Sequence, residues 1–210
     1  MKKMPARGWA ILCACAGCAC ASPCARAKET GGTWVEAGPA YARMEAGPGK
    51  LDMAGVYAGA QLSLIEFTAF ELAARGAYTY LDSSESVSAH RHAGGAELVL
   101  SASAPGVITP YVAGGVSACR TDAVVYAGSD DTLVGPAAEA GVEFTVVPKL
   151  FAVTPSVRRF RTDELDTITW ALDARLHFSL LGVGVRGEYE DNRSRDGRLT
   201  TVMAYAALRF

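Results

Sequence analysis

Beyond residue 27 the sequence has one cysteine, no long hydrophobic run and no cluster of lysine or arginine. Five of the six cysteines precede residue 28, which excludes a disulfide framework for the rest of the chain. No later stretch approaches the roughly 18 apolar residues that a membrane-spanning helix needs. The formal net charge of −2, without a basic run, argues against a nucleic-acid-binding surface. If this chain crosses a membrane, it does not do so with helices.

The first 27 residues have the pattern of a secretory signal peptide. Basic residues within the first seven positions are followed by a short apolar segment, Trp9 to Ala21. Ala25-Arg26-Ala27 fits a small-x-small cleavage site, and Ala19-Cys20-Ala21 is a second candidate. Cleavage after Ala27 would remove four basic and no acidic residues, which changes the formal net charge to −6. We therefore predict a signal peptide over 1–27 and one domain over 28–210.

The leader cysteines offer an alternative to simple cleavage. Leu12-Cys13-Ala14-Cys15 and Cys15-Ala16-Gly17-Cys18 each resemble a loose lipobox, the site that precedes a lipid-modified cysteine. The first would leave a very short apolar segment, and the second lacks leucine at its usual place. The leader cysteines are otherwise small apolar residues of a signal peptide.

The rest of the chain alternates between apolar and polar residues, as β-strands with two different faces do. The clearest example is Thr167 to Ser179. One face of this predicted strand carries Ile168, Trp170, Leu172, Ala174, Leu176 and Phe178. The other face carries Thr167, Thr169, Asp173, Arg175, His177 and Ser179. Because no segment shows a 3.6-residue apolar stripe, helix is at most a minor component.

Ten such segments follow one another. The first seven cover 33–45, 52–64, 67–81, 89–102, 107–120, 133–147 and 150–162. The last three are Thr167 to Ser179, a strand around Val183 to Glu190, and a strand that ends at Phe210. Short connections are predicted at 64–66, 104–106, 148–149 and 181–182, and longer polar ones at 46–51, 82–88, 121–132, 162–166 and 191–198.

Short turns at one end and longer loops at the other are typical of outer-membrane β-barrels. A soluble sandwich would show the same alternation, but the signal peptide and the aromatic end of the last strand favour the membrane alternative. We therefore predict an all-β fold: a closed antiparallel transmembrane β-barrel of about ten strands, with eight as the alternative. The predicted location is the bacterial outer membrane, with the short turns and both termini in the periplasm.

Several stretches resemble a known family. MAYAALRF at Met203 to Phe210 is similar to the last strand of outer-membrane barrels, which ends in phenylalanine and is recognised by the barrel assembly machinery. PYVAGGVSA (Pro110 to Ala118) resembles the fifth strand of small OmpA-like and OmpW-like barrels, and GPAAEAGVEFTV (Gly135 to Val146) resembles the hairpin that follows. Those families typically have eight strands, so the additional hairpin from Val183 onward is a departure. The resemblance implies a fold and says little about activity.

The predicted inner face is rich in charge. Its members are Glu71, Arg75, Glu97, Glu139, Glu143, Asp173, Arg175, Arg186, Glu188, Glu190 and Arg209. Buried charges must be paired or hydrated. We expect Arg175, Arg186 and Arg209 to meet acidic partners such as Asp173, Glu188 or Glu143. The network should plug the narrow lumen, and a small polar channel is the alternative.

Two enzymatic alternatives have partial support in the sequence. His177 and Ser179 share the spacing of the His-x-Ser pair of an outer-membrane lipid A deacylase family, with Glu188 or Glu190 as a third member. Omptin-like proteases need aspartate and histidine at the outer rim; Asp130-Asp131 is a loop pair, but no histidine accompanies it in the outer loops apart from His90 and His92 near the start of a strand. We expect His90-Arg91-His92 to be a solvated strand end. His177 is expected at the periplasmic end and facing inward, whereas the pair of the lipid A deacylase family faces lipid in the outer leaflet. We therefore predict no enzyme and no catalytic, cofactor-binding or metal-binding residue.

Three further residues carry expectations. Pro110 and Pro155 fall inside predicted strands, where a missing N–H donor disturbs the pairing. Cys119 should be a small residue near the outer end of its strand.

The predicted role is structural or surface-exposed, in adhesion or envelope integrity, with a porin-like channel as the alternative. The expected partners are outer-membrane lipids and the assembly machinery, without nucleic acid, and the expected state is a monomer without cofactors.

Overall fold

The computed structural model describes residues 32–46, 49–67, 70–83, 89–102, 107–121, 132–148, 150–194 and 197–210. Ten β-strands account for nearly all of them: β1 (Trp34–Ala46), β2 (Gly49–Glu66), β3 (Phe70–Asp82), β4 (His90–Ala102), β5 (Ile108–Thr121), β6 (Leu133–Val147), β7 (Phe151–Arg161), β8 (Asp166–Phe178), β9 (Leu181–Asn192) and β10 (Gly197–Arg209). The predicted all-β fold is confirmed, with ten strands rather than eight. Within the described ranges, no helix is long and apolar enough to cross a membrane. The predicted signal peptide, 1–27, lies outside the described residues.

The sheet closes on itself. Every strand pairs with its neighbours in sequence, and β1 pairs antiparallel with β10 from Trp34↔Arg209 to Ala46↔Gly197. Closure leaves no free strand edge, so each of the ten strands pairs with a neighbour on both sides. The closed antiparallel barrel is therefore confirmed.

Successive side chains point to opposite faces of the wall, which we call the lumen face and the outer face. In β8 the predicted apolar face is exposed at Trp170, Leu172 and Phe178, while Thr167 and His177 are buried on the lumen face. In β10 the burial pattern alternates without exception up to Leu208. The register of the last three strands was thus predicted correctly.

The strand ends differ from the prediction at three connections. β2 continues to Glu66, so its turn lies at 67–69 and not at 64–66. β9 begins at Leu181, so the turn before it is 179–180 and not 181–182. The predicted loop 46–51 is a short connection at 47–48, because the hairpin is extended by the ion pairs Arg43–Asp52 and Lys50–Glu45. The four turns at the end where β1 begins and β10 ends define the turn end, and the opposite end is the loop end.

Pro110 and Pro155, the two prolines expected to disturb the pairing, have different effects. Opposite Pro155 the β6–β7 pairing passes from Gly141↔Ser156 directly to Phe144↔Val153, and a register shift follows between Thr145 and Val147. Pro110 pairs with Val142 without a shift. The missing donor of Pro155 thus produces the expected irregular pairing, whereas Pro110 is accommodated in the β5–β6 ladder.

Tyrosines on the lumen face lie against glycines of the neighbouring strand. A Cβ added to Gly184 would lie 2.3 Å from the ring of Tyr205, and one added to Gly141 would lie 2.5 Å from the ring of Tyr111. Only glycine leaves room for a ring at these two positions. The rings are therefore held flat against the wall, where their hydroxyl groups reach the charged residues of the lumen.

The loop end of the lumen is apolar on one side. Buried side chains of β1, β2, β3 and β10 pack together there, with Met53, Met203 and Leu81 among the most buried in the described structure. A methionine side chain adapts to irregular space, which suits the inside of a curved wall. The charged residues lie deeper in the barrel and on the opposite wall.

Candidate functional site

The lumen contains two clusters of charged residues. The first, which we call the Arg175 cluster, joins β1, β2, β8 and β10. Arg175 Nη2 lies 2.8 Å from Glu36 Oε2 and 3.2 Å from Asp173 Oδ2, and its Nε donates to the Tyr205 hydroxyl at 3.0 Å. Tyr205 in turn donates to Asp173, and Tyr57 donates to Glu36. One guanidinium is thereby surrounded by two carboxylates that tyrosines also bind.

The rings in this cluster add a second kind of contact. The guanidinium carbon of Arg175 lies 5.1 Å from the ring centroids of both Trp34 and Tyr205. These distances are within the range of cation–π attraction. Arg175 is thus fixed by charge, by hydrogen bonds and by ring contacts at once.

The second group, the Arg75 cluster, joins β3 to β7 in the other half of the barrel. Arg75 Nη2 lies 2.7 Å from Glu97 Oε2 and 2.8 Å from Glu139 Oε2. Tyr111 donates to Glu139, and Arg158 forms an ion pair with Glu97. The arrangement repeats that of the first cluster, since an arginine again lies between two carboxylates and a tyrosine donates to one of them.

A third contact joins the two halves of the barrel. Arg91 on β4 donates to both oxygens of Glu190 on β9, at 3.1 and 2.9 Å. Four strands separate β4 from β9 on either side of the closed sheet, so this ion pair crosses the full width of the lumen. Arg186 pairs with Glu188 on the same strand, at 2.7 Å. The lumen is therefore crossed by ion pairs at several levels.

Space remains beside the ion pairs. A cavity of about 220 Å³ follows the lumen and is lined by both clusters and by hydroxyl side chains such as Thr79, Ser117, Thr169 and Thr201. Its volume is below that of typical sites for drug-sized ligands, which begin at about 300 Å³. The cavity suits water or a small solute rather than a large one.

The predicted inward charges are confirmed, together with two of the three arginine pairings. Arg175 meets Asp173 and Arg186 meets Glu188, as predicted. Arg209 lies on the lumen side at the turn end, where it lines a small pocket with Trp34 and His177. Once the apolar face of each strand is assigned to lipid, the alternation of side chains is sufficient to place these charged groups inward.

Several residues of the lumen contacts were not expected from the sequence. They include Glu36, Tyr57, Arg91, Tyr111 and Arg158. Glu36 could have been found, because it alternates with the apolar Val35 and Ala37. Arg158 could not, since the run Arg158-Arg159 does not show which of the two arginines points inward. Arg91 was assigned to a solvated strand end together with His90 and His92, and this was wrong: it is 6% exposed and bound to Glu190.

The His-x-Ser pair does not form a site in the structure. β8 ends at Phe178, and Ser179 lies in the turn with a φ of 60°. His177 is buried on the lumen face as predicted, whereas Ser179 is exposed, so the two do not share a face as the strand prediction assumed.

The protease alternative and the other candidates have structural roles where the structure describes them. Asp130-Asp131 lies outside the described residues. His90 pairs with Asp82 at 3.0 Å and His92 contacts the Tyr78 hydroxyl at 2.7 Å, both on the outer face at the loop end. In the described ranges no three acidic, histidine or cysteine side chains are placed to hold a metal. Cys119 is buried near the loop end of β5, packed with Ala137, Phe160 and Leu165.

The outer face is apolar over most of its height. Valine, leucine and isoleucine are exposed there in all parts of the wall, for example Leu98 (54%) and Val112 (56%). Tyrosine and tryptophan border this band toward the loop end, as at Tyr78 and Trp170, and phenylalanines border it at the turn end. An apolar band between two aromatic girdles is the lipid-facing surface of an outer-membrane barrel.

The closed wall, the apolar outer face and the charged lumen together define the class of protein. A bilayer admits only segments whose backbone groups are all paired, and a closed barrel meets that requirement. The chain is thus a ten-stranded barrel of the bacterial outer-membrane type, as predicted.

No protein-family model and no curated protein sequence matches this chain. Solved structures with a similar course include the attachment invasion locus protein Ail of Yersinia pestis, at 16% identity and a TM-score of 0.45, covering 85% of this chain and 97% of Ail. Neisserial surface protein A has 16% identity and a TM-score of 0.41, with 86% and 98% covered. The translocator domain of the autotransporter NalP from Neisseria meningitidis has 14% identity and a TM-score of 0.46, with 85% and 89% covered. Values this low transfer no activity, and the assignment above depends on the strand pairing and the two faces of the wall.

Proposed function

We propose that this protein is a structural, surface-exposed barrel of the outer membrane whose lumen is closed to nutrient-sized solutes by ion pairs. The observation that carries the proposal is the Arg91–Glu190 ion pair, which spans the whole lumen above two further charged clusters. Each arginine in these clusters faces carboxylates at hydrogen-bonding distance, so the charges hold one another in place. A large pore would require most of these contacts to break.

Conductance in planar bilayers tests this closure. The protein should show little or no steady current, because its lumen is filled by paired side chains. Arg158→Ala should raise the current, since Arg158 reaches from β7 to Glu97 on β4. The matched control is Arg159→Ala, because Arg159 is the next residue on the same strand but pairs with Asp166 on the outer face. A large unitary conductance of the unchanged protein would contradict the proposal.

A small channel is the second candidate function, and the cavity of about 220 Å³ favours it. Such a path would admit water and small ions beside the charged clusters. The same bilayer experiment separates the two, because a channel conducts before any substitution is made.

The surface role depends on orientation. We propose that the loop end faces outward and that both termini are periplasmic. An epitope inserted at Asp196, in the connection between β9 and β10, should be bound by antibody on intact cells. The same epitope at Pro148, in a turn at the opposite end, should be bound only after the outer membrane is permeabilised. The reverse pattern would invert the orientation.

We propose outer-membrane lipids and the barrel assembly machinery as the partners, and a monomer as the functional state. The closed wall leaves no free strand edge to join a second copy. Phe210, 70% exposed at the end of the last strand, is the residue that the machinery would recognise. Phe210→Asp should lower the amount of inserted barrel severalfold, while Phe210→Tyr should not. Unchanged membrane levels of Phe210→Asp would show that this residue is not used.

We propose no enzymatic activity, cofactor or nucleic-acid partner. The exposed position of Ser179 in a turn, away from the buried His177, supports this for the deacylase alternative. Release of fatty acid from lipid A by the purified barrel, lost in Ser179→Ala, would contradict it.

A further inference from the structure

The turn end of the barrel is rimmed by large exposed apolar side chains. We call them the turn-end rim: Ile65, Phe67, Val107, Val147, Leu150 and Leu180, which are exposed by 42 to 62%. They lie in or directly beside the turns, where side chains that project into water are usually polar. At the turn end, Glu66 is the one exposed charged side chain among the residues that the structure describes.

The loop end is built differently. Its outer face carries exposed ion pairs, among them Arg43–Asp52 and Arg159–Asp166 at 2.7 Å each. Charged groups of this kind mark a surface that lies in water or among headgroups. The two ends of the barrel therefore face different surroundings.

The backbone of the turn-end rim is hydrogen-bonded within the protein. The carbonyl of Val107 accepts from Thr145 N, and that of Leu180 accepts from Arg209 N, each at 2.8 Å. The carbonyl of Leu150 accepts from His177 N at 2.8 Å. The ladder thus continues from strand to strand at the level of the turns. Such pairing is what a low-dielectric environment requires, because no water is present to satisfy these groups.

The height of the apolar band also indicates that the turn end lies in lipid. A strand rises about 3.3 Å per residue and is tilted by about 40° in barrels of this kind, so β8 from Trp170 to its end at Phe178 spans about 20 Å along the membrane normal. The usual height of the lipid-facing band is about 25 Å. The turn-end rim, which includes Leu180 just beyond Phe178, supplies the remaining height.

We propose that the turn-end rim is a lipid-binding surface, immersed at the boundary between hydrocarbon and headgroups of the leaflet on the periplasmic side. The barrel is then seated asymmetrically: the loop end projects from the membrane, and the turn end is flush with it. This inference rests on the proposed function, since it takes the barrel to span the membrane.

The experiment measures the depth of spin labels in vesicles of phosphatidylethanolamine and phosphatidylglycerol. Protein purified from bacterial outer membranes carries Cys119→Ala and one added cysteine: Leu180→Cys or Leu150→Cys in the rim, Val185→Cys in mid-band, or Arg161→Cys at the loop end. The Cys119→Ala protein without an added cysteine gives the background. Collision rates with oxygen, which prefers lipid, are compared with those of a water-soluble nickel chelate.

Both rim labels should have an oxygen-to-nickel ratio severalfold above that of the Arg161 label and approaching that of the Val185 label. A water-like ratio at Leu180 and Leu150, with Val185 still lipid-like, would overturn this inference alone and leave the rim free for a periplasmic protein. A water-like ratio at Val185 as well would overturn the proposed function together with it.

Discussion

The lumen and the outer face of this barrel carry the same kind of ion pair in opposite surroundings. In the lumen, the side chains of Arg175 and Glu36 are 12% and 3% exposed, and tyrosines and a second carboxylate complete their contacts. On the outer face, Arg43 and Asp52 are 50% and 38% exposed and lie at the loop end. Both pairs have good geometry, so the difference between them is solvent. The contribution of an ion-paired arginine to the stability of this barrel therefore depends on which face of the strand carries it.

The largest effect is expected when the lumen pair is broken. Arg175→Met should lower the free energy of unfolding by about 3–5 kcal/mol, because it leaves Glu36 and Asp173 buried without their cation. Urea unfolding in detergent, followed by the heat-modifiable gel shift of barrels, measures it. A loss below 1 kcal/mol would show that water already hydrates these carboxylates.

A smaller loss is expected when a single donor is removed from the lumen. Tyr111→Phe deletes the hydroxyl that donates to Glu139 and should cost about 1.5–3 kcal/mol, the usual range for a hydrogen bond to a charged group. Tyr189→Phe, on the outer face beside Trp170, is the matched control. Equal losses in the two variants, measured by the same unfolding assay, would remove the distinction between the two faces.

Two glycines of β9, Gly184 on the lumen face and Gly187 on the outer face, test how much added side-chain volume each face tolerates. Gly184→Ala places a methyl group 2.3 Å from the Tyr205 ring, which is held by Asp173, and should cost about 1–3 kcal/mol. Gly187→Ala, three residues along β9, meets nothing within 4 Å and should be neutral or slightly stabilising. Thermal unfolding of the two proteins under identical conditions decides between these expectations.

The smallest effect is expected on the outer face. Arg43→Met removes an exposed ion pair and should leave the midpoint of urea unfolding nearly unchanged, because solvent screens the two charges. It is the direct counterpart of Arg175→Met, because both variants replace an ion-paired arginine with the same residue. A cost as large as that of Arg175→Met would mean that the loop end is as dry as the lumen.

The sequence was sufficient to predict the strands because alternation is a local property. Once Trp170 and Leu172 are assigned to lipid, Asp173 and Arg175 must point inward. Strand ends were harder, since Leu64-Ile65-Glu66 and Leu181-Gly182 read equally well as turn or strand. Partners across the lumen were hardest: Arg91 and Glu190 are 99 residues apart, and only the closed geometry of ten strands makes them opposite.

The pairing of distant strands has a consequence for how the barrel forms. Arg175 and Glu36 are 139 residues apart and belong to β8 and β1, so they meet only after the last two strands have closed the circle. A one-residue slip of β8 would turn Arg175 toward hydrocarbon, at about 2–4 kcal/mol near mid-depth. A sheet that is misaligned or still open therefore carries unmatched charge that the finished barrel does not. The ion-pair network therefore stabilises only the correct strand alignment, and it does so only when the last strands close the barrel.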